Sequence, residues 1–311
     1  YTYHTRGIFG QRFDASGNPV GSEFQINTHV SNQQAYPAIT SLPNDGFVVV
    51  WHSAGQESYH GIYGQRYNSS GVAVGTEFHV NTYTSNYQVE ADITTLSDGS
   101  FVVTWTSKNQ DGSSYGIYGQ RFDADGFKLS DEFQINTETY SSQYYPNIFS
   151  LADGGFVIIW QSAYQDGSEY GVYGQRFDAS GAPAGSEFQV NTYTNSNQAN
   201  PSITALPDGG YLIVWNSYGQ DGQTSGVYGQ RYDAVGSAIG SEFQVNTGDA
   251  NSPSYSSYTW WDEPSISADP NGNVMVTWAA NNQEDSGSGY GVFGQRFDVA
   301  YETLLARNIS V

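Results

Sequence analysis

The eight-residue stretch GIYGQRFD at 116–123 decides the fold, because near copies of it recur along the chain. The copies begin at residues 7, 61, 116, 171, 226 and 291. Successive copies are 54 or 55 residues apart, except for the last, which follows after 65. A fixed period of this size indicates a solenoid, a propeller or another repeat array.

Each repeat predicts four β-strands. The repeat at 201–247 contains the strands PSITAL, YLIVW, GVYGQRYD and SEFQVNT, joined by the turn PDGG, the polar loop NSYGQDGQTS and the turn AVGSAIG. FVVVW at 47–51 is apolar on both faces, which indicates an interior strand. EFHVNT at 77–82 alternates between apolar and polar residues, which indicates a half-exposed edge strand. A repeated four-stranded antiparallel meander is typical of a β-propeller blade.

We therefore predict an all-β fold, a β-propeller of four-stranded antiparallel blades in a single domain over 1–311. Five complete cycles follow an N-terminal hairpin and favour five blades, with six blades as the alternative. The predicted parts are a closing hairpin at 1–36 and blades at 37–90, 91–145, 146–200, 201–263 and 264–311. Strands 7–14 and 291–298 compete for one place in the last blade. A spare strand predicts self-association into an oligomer or filament through the terminal strands.

Composition excludes several classes of function. The chain has 31 acidic and 10 basic residues, and its formal net charge of -21 argues against nucleic acid as a partner. It has no Cys, which excludes disulfides and thiolate sites. No segment approaches the roughly 20 apolar residues of a membrane span, so membrane insertion is not expected.

Two repeated residue types are predicted to hold the blades together. Six of the ten basic residues recur in the GQR strand, and each of the first five precedes a Glu by eleven residues. We expect each Arg to form an ion pair with that Glu across a hairpin, or to join adjacent blades. A Trp ends each apolar strand and is expected to pack between blades. These structural residues are Arg12, Arg66, Arg121, Arg176, Arg231, Arg296, Trp51, Trp105, Trp160, Trp215 and Trp278.

The repeat resembles propeller-type repeats of large secreted bacterial surface proteins, often found beside calcium-binding RTX segments. The stretch DGGFVIIWQSAYQDGSEYGVYGQRFDASGAPAGSEFQVNT at 153–192 carries this resemblance. The resemblance implies an extracellular or cell-surface location and a role in adhesion or in a matrix. It implies no catalytic residues.

Three groups of residues are candidates for ligand binding. The insertion 248–263 is rich in aromatic residues, and a Gln precedes the first strand in the other repeats, so both are candidates for glycan contact. The glycan candidates are Tyr255, Tyr258, Trp260, Trp261, Gln34, Gln88, Gln143 and Gln198. An Asp in each QDG loop is a candidate calcium ligand, since calcium prefers oxygen. The calcium candidates are Asp111, Asp166 and Asp221.

From these features we expect a secreted, non-enzymatic, adhesive or structural protein that self-assembles. The alternative is a multivalent glycan-binding lectin. A more distant alternative is a polysaccharide-active enzyme, because carboxylate pairs are plentiful. Asp262 and Glu263 are the only acidic pair that departs from the repeat in this way, and they are the catalytic pair to test.

Overall fold

The computed structural model describes residues 6–222, 225–246, 264–281 and 290–298. In these ranges the chain forms 21 β-strands and no helix. None of the described segments is therefore a helix with the length and hydropathy that a membrane span requires.

The strands follow the repeat. The N-terminal strands are β1 (Phe9–Phe13) and β2 (Pro19–Gln25). The first blade contains β3 (Gln34–Ser41), β4 (Phe47–Ala54), β5 (His60–Tyr67) and β6 (Ala73–His79). The second contains β7 (Gln88–Thr95), β8 (Phe101–Lys108), β9 (Tyr115–Phe122) and β10 (Phe133–Gln134). The third contains β11 (Gln143–Ser150), β12 (Phe156–Ala163), β13 (Tyr170–Phe177) and β14 (Phe188–Gln189). The fourth contains β15 (Gln198–Ala205), β16 (Tyr211–Tyr218), β17 (Ser225–Tyr232) and β18 (Ala238–Gln244), and the fifth β19 (Ser265–Ala268), β20 (Asn273–Asn281) and β21 (Tyr290–Asp298).

Four blades are complete antiparallel meanders in which each strand pairs with its neighbour in sequence. The fifth blade has three strands within the described residues, and β1 and β2 form a small sheet of their own. The predicted all-β propeller fold is confirmed, with about five blades and one small sheet. The N-terminal hairpin predicted to close the last blade forms a sheet separate from that of β19, β20 and β21, so strands 7–14 and 291–298 do not compete for a place in one described sheet. The insertion 248–263 lies outside the described residues.

The second strand of each blade is apolar on both faces because both faces are buried. In the first blade, Val49 and Trp51 pack against the small N-terminal sheet, in a cluster with Ile8 and Ile26. Val48 and Val50 belong to another cluster, which is shared with the second blade. A single blade cannot cover both of its faces, so the repeats are stable only when they stack.

The chain divides into two compact units, Tyr1–Ile148 and Phe149–Val311, and the division falls within β11. The first unit contains the small sheet and the first two blades. The second contains the remainder of the third blade and the fourth and fifth blades. The equivalent stacking in the second unit includes Val157 and Ile159 of β12 with Ile213 and Trp215 of β16.

The repeated Arg joins blades, but not through the predicted Glu. Arg66 donates to the main-chain oxygen of Asp125 at 2.5 Å and lies 3.2 Å from its carboxylate, in the next blade. The strand register explains the difference, because Arg66 lies opposite Val74 rather than Glu77. The carboxylate of Glu77 instead accepts hydrogen bonds from the main-chain N–H and the hydroxyl of Thr28, at 2.9 and 2.8 Å.

Other copies of the Arg vary in their partners. Arg121 pairs with Asp98 at 2.6 Å, within its own blade. Arg176 bonds both to Asp153 and to the main-chain oxygen of Ala234 in the next blade, the latter at 3.0 Å. These guanidinium groups stabilise turns and blade contacts.

Candidate functional site

A left-handed residue interrupts the first strand of four blades at the same repeat position. These residues are Tyr36 (φ 54°), Glu90 (φ 58°), Tyr145 (φ 55°) and Asn200 (φ 55°). The pairing between the first and second strands shifts there, as in β7 between Val89 and Asp92. Bulges that hold non-glycine residues at positive φ cost about 1–3 kcal/mol each, and such strain is concentrated at functional sites.

In the first unit these bulges lie beside a continuous series of rings, which we call the tyrosine belt. It occupies the end of the blades where the first and third strands begin. Its members are Tyr36, His52, Tyr59, His60, Tyr87, Lys108, Tyr115, Tyr144 and Tyr145.

The first half of the belt comes from the first blade and the loop that follows it. The rings of Tyr36 and His52 are 5.1 Å apart, and those of His52 and His60 are 5.2 Å apart. Tyr87 stands edge-on to both His60 and Tyr59, at 5.1 and 5.4 Å. Tyr36 is 49% exposed and Tyr59 is 45% exposed, so these two rings present surfaces to solvent.

Lys108 links the two halves of the belt. Its Nζ lies 5.5 Å from the ring centroid of Tyr87 and 5.4 Å from that of Tyr115, within the range of cation–π contacts. Tyr115 is 4.8 Å from Tyr144, which in turn is 6.2 Å from Tyr145.

Glu90 brings a carboxylate to this belt. Its Oε2 accepts a 2.8 Å hydrogen bond from the hydroxyl of Thr106 and a 3.2 Å bond from the main-chain N–H of Tyr145. Burial raises the pKa of Tyr115 and Tyr144, and the negative charge of Glu90 adds to both increases. Glu90 is therefore an oriented carboxylate among aromatic groups.

Asp92 lies two residues further along β7. Its Oδ1 accepts from the N–H of Ile93 at 2.9 Å, and its Oδ2 accepts from Asn147 at 2.6 Å and from the N–H of Ile148 at 2.9 Å. Burial raises the pKa of Asp92 to about 6, although these three hydrogen bonds act in the opposite direction.

His52 is the more deeply buried of the two histidines in the belt. It is 5% exposed, and its Nδ1 has no hydrogen-bond partner among the described residues. Burial, with a smaller contribution from His60, lowers its pKa to about 3. Burial also lowers the pKa of His60. Both imidazoles are neutral at physiological pH and serve as aromatic surfaces.

The glycan candidates named from the sequence do not form this site. The four Gln residues are at most 1% exposed, and their amides bond the loop before each first strand, as Gln34 does to the main-chain oxygen of Ser31 at 2.9 Å. A glycan has no access to them, so that prediction is wrong for Gln34, Gln88, Gln143 and Gln198. The remaining candidates, Tyr255, Tyr258, Trp260 and Trp261, lie outside the described residues, as do Asp262 and Glu263.

The five repeated Trp residues are at most 5% exposed, so they are core residues and not sugar platforms.

The calcium candidates are not brought together. Asp111 and Asp166 each accept the main-chain N–H two residues later, at 2.9 and 3.0 Å, as in a polar turn. Asp221 accepts from Gln244 at 3.3 Å. Within the described ranges, no three metal-binding side chains of the His, Cys, Asp or Glu type form a group.

No known family model and no curated protein sequence matches the chain, so the resemblance to secreted bacterial repeats and the predicted location stay predictions. Solved structures do match its fold. A protein of unknown function from Dyadobacter fermentans has a TM-score of 0.64 at 12% identity, covering 95% of this chain and 85% of that one.

Two further matches are enzymes. The α-L-arabinanase of Penicillium chrysogenum, complexed with arabinobiose, has a TM-score of 0.56 at 16% identity, covering 82% of this chain and 79% of that one. The α-L-arabinofuranosidase of Fusarium graminearum, complexed with an iminosugar inhibitor, has a TM-score of 0.55 at 12% identity, covering 83% and 80%. These neighbours contradict the expectation of a non-enzymatic adhesive or structural protein, because the chain shares its fold with an arabinanase and an arabinofuranosidase. At these identities the likeness itself shows the fold alone.

Sequence reasoning did not single out Glu90, Asp92 or Lys108. All three depart from the repeat. The positions equivalent to Lys108 in the first, third and fourth blades hold Ala54, Ala163 and Tyr218. Aligning the repeats position by position would reveal these three departures. A functional site that occurs once in the chain requires residues that differ from those at the equivalent positions of the other repeats.

Proposed function

We propose that this chain is a glycoside hydrolase that acts on an arabinose-containing polysaccharide. The observation that carries the proposal is the placement of Glu90, whose carboxylate is fixed by Thr106 and Tyr145 at a strained bulge beside the tyrosine belt. The arabinobiose bound to the Penicillium enzyme supports the choice of substrate class.

The belt supplies a surface for sugar rings. Tyrosine faces bind the apolar faces of sugars, and their hydroxyl groups provide hydrogen bonds. Tyr36, Tyr59 and Tyr87 are 49%, 45% and 36% exposed. They give the belt an accessible aromatic surface on the first blade and the loop that follows it.

The proposal assigns the two roles of glycoside hydrolysis to the two carboxyl groups of β7. The reaction uses one carboxylic acid to protonate the leaving oxygen and one carboxylate to act as base or nucleophile. The pKa of about 6 leaves Asp92 partly protonated under mildly acidic conditions. Oδ2 of Asp92 accepts two N–H groups and Oδ1 only one, so the proton is placed on Oδ1. Glu90 is assigned the role of base or nucleophile.

The test is the release of reducing sugar from arabinan and arabino-oligosaccharides by the purified chain. Glu90→Gln is expected to lower kcat/KM by about 1,000-fold or more, and Asp92→Asn by at least about 100-fold. Asp131→Asn removes an exposed carboxylate from the same blade and serves as the matched control. A wild-type protein that binds these glycans without cleaving them would overturn the proposal, as would full activity of Glu90→Gln.

A further inference from the structure

We propose that Lys108 selects a sugar unit that carries a negative charge, so that the glycan bound at the tyrosine belt is acidic. This inference rests on the proposed function for the location of the site, and it specifies the substrate class further. The group recognised by Lys108 would be an anionic oxygen, which either a uronate carboxylate or a sulfate ester can supply.

The first support is the scarcity and position of this charge. The chain has two Lys residues, Lys108 and Lys128. The Arg side chains described above, such as Arg66 and Arg176, bond to main-chain oxygens and carboxylates of neighbouring turns. Lys108 instead lies at the end of β8 in the belt, where the repeat has uncharged residues.

The second support is the absence of a protein counter-ion. In the part of the chain that the structure describes, the salt bridges use other cationic groups, and Lys108 has none within 4.0 Å. Its ammonium is held between the faces of Tyr87 and Tyr115. A partly buried ammonium in a chain with a net charge of -21 would normally be neutralised by a carboxylate. Here aromatic faces position the charge and leave its N–H donors for a ligand.

The third support is that Lys108 and Glu90 lie along the same run of rings. Lys108 is 5.4 Å from the ring centroid of Tyr115, which is 4.8 Å from Tyr144. Glu90 accepts from the main-chain N–H of Tyr145. Both charges act on the pKa of Tyr144, Glu90 raising it and Lys108 lowering it. An anionic sugar bound at Lys108 therefore lies within the same belt as the proposed reacting carboxylate. A Lys ammonium is a compact point charge with three N–H donors, so it can donate to a carboxylate or to a sulfate.

The net charge of the chain does not prevent this contact. At physiological ionic strength the Debye length is about 8 Å, so distant carboxylates are screened while a direct ammonium contact is not. The preference should therefore be measured in about 0.15 M salt, where the local charge dominates.

The experiment compares three oligosaccharides of equal length: one neutral, one carrying uronate carboxylates and one carrying sulfate esters. Dissociation constants are measured by calorimetry on intact wild type, Lys108→Gln and the matched control Lys128→Gln, and KM and kcat are measured where hydrolysis occurs. We expect wild type to bind at least one acidic oligosaccharide about tenfold more tightly than the neutral one. We expect Lys108→Gln to bring this ratio close to one, through KM rather than kcat, and Lys128→Gln to preserve it.

The outcomes separate this inference from the proposed function. An acidic preference that depends on Lys108, without any cleavage, supports the inference and overturns the hydrolase. Cleavage with no acidic preference, or with a preference that Lys108→Gln leaves intact, overturns the inference alone. The uronate and sulfate arms identify which anionic group is recognised.

Discussion

The main-chain N–H of Tyr145 donates a 3.2 Å hydrogen bond to the carboxylate of Glu90, one blade earlier. The two residues occupy the same position in successive repeats, and both have positive φ. The strained bulge of one blade is thus held by a side chain from the bulge of the blade before it. Glu90 has a structural role as well as the chemical role proposed for it, and the two roles can be separated by substitution.

Glu90→Ala should lower the free energy of unfolding by about 1–3 kcal/mol, because the partly buried N–H of Tyr145 and the hydroxyl of Thr106 lose their acceptor. Glu90→Gln retains an oxygen that can accept both hydrogen bonds, so its cost should stay below about 1 kcal/mol. Urea unfolding of the two variants at pH 7 measures the difference. Equal destabilisation by both variants would show that the negative charge, rather than the acceptor, holds the bulge.

The pH dependence of hydrolysis should follow Asp92. Its pKa of about 6 lies above its ordinary value, so the protonated form that donates to the leaving oxygen is lost as the pH rises through 6. We expect kcat/KM on arabino-oligosaccharides to fall about tenfold for each pH unit above roughly 6.5. A rate that stays constant from pH 5 to pH 8 would remove Asp92 from the role of general acid.

His52 should make the fold sensitive to acid. Its folded pKa of about 3 lies below the ordinary value of 6.5, so the unfolded chain binds the proton more tightly, and stability is lost as the pH falls from 6.5 towards 3. Between pH 7 and pH 5 this amounts to about 2 kcal/mol. The raised pKa of Asp92 has the opposite effect, since it increases the free energy of unfolding as the pH falls from 6 to 4. This effect is the same in wild type and in a His52 variant, so it cancels when the two are compared.

The variant that tests this contribution is His52→Gln, because Gln161 occupies the equivalent position in the third blade. We expect its unfolding free energy to decline less than that of wild type between pH 7 and pH 5, by about 2 kcal/mol. Chemical unfolding at several pH values gives both curves. Parallel curves would mean that His52 is protonated without cost in the folded state.

The fold could be predicted from the sequence because the same pattern of apolar and polar residues recurs in every repeat. FVVVW at 47–51 is apolar throughout, and the structure covers both of its faces, with Val49 and Trp51 on one side and Val48 and Val50 on the other. The site was predicted less well. A Gln at the same position of four repeats suggested a set of ligand-binding residues. A residue that recurs in four blades is more often required for the structure of each blade. The buried amide of Gln34, which bonds the loop before its strand, is an example.

The partners of repeated charges could not be predicted from spacing either. An Arg and a Glu eleven residues apart suggested a pair within one hairpin, but the bulge between Gly64 and Arg66 shifts the register and separates Arg66 from Glu77. The residue types around Arg66 do not reveal this shift of register. The bulge that positions Glu90 is likewise not apparent from the residues of β7.

The link from Arg66 to the next blade gives a final prediction. Its guanidinium bonds the main-chain oxygen of Asp125, and its Cδ lies 3.1 Å from the place where a side chain on Gly126 would begin. The Arg side chain is 12% exposed, whereas the Asp125 carboxylate is 77% exposed. Arg66→Ala should therefore cost about 1.5–3 kcal/mol through the lost main-chain bond and packing. Asp125→Ala removes only a solvated ion pair and should cost less than about 1 kcal/mol. Chemical unfolding in 0.1 M and 1 M salt measures both, and a cost of Arg66→Ala that disappears at high salt would show that the blades are joined by the charge pair instead.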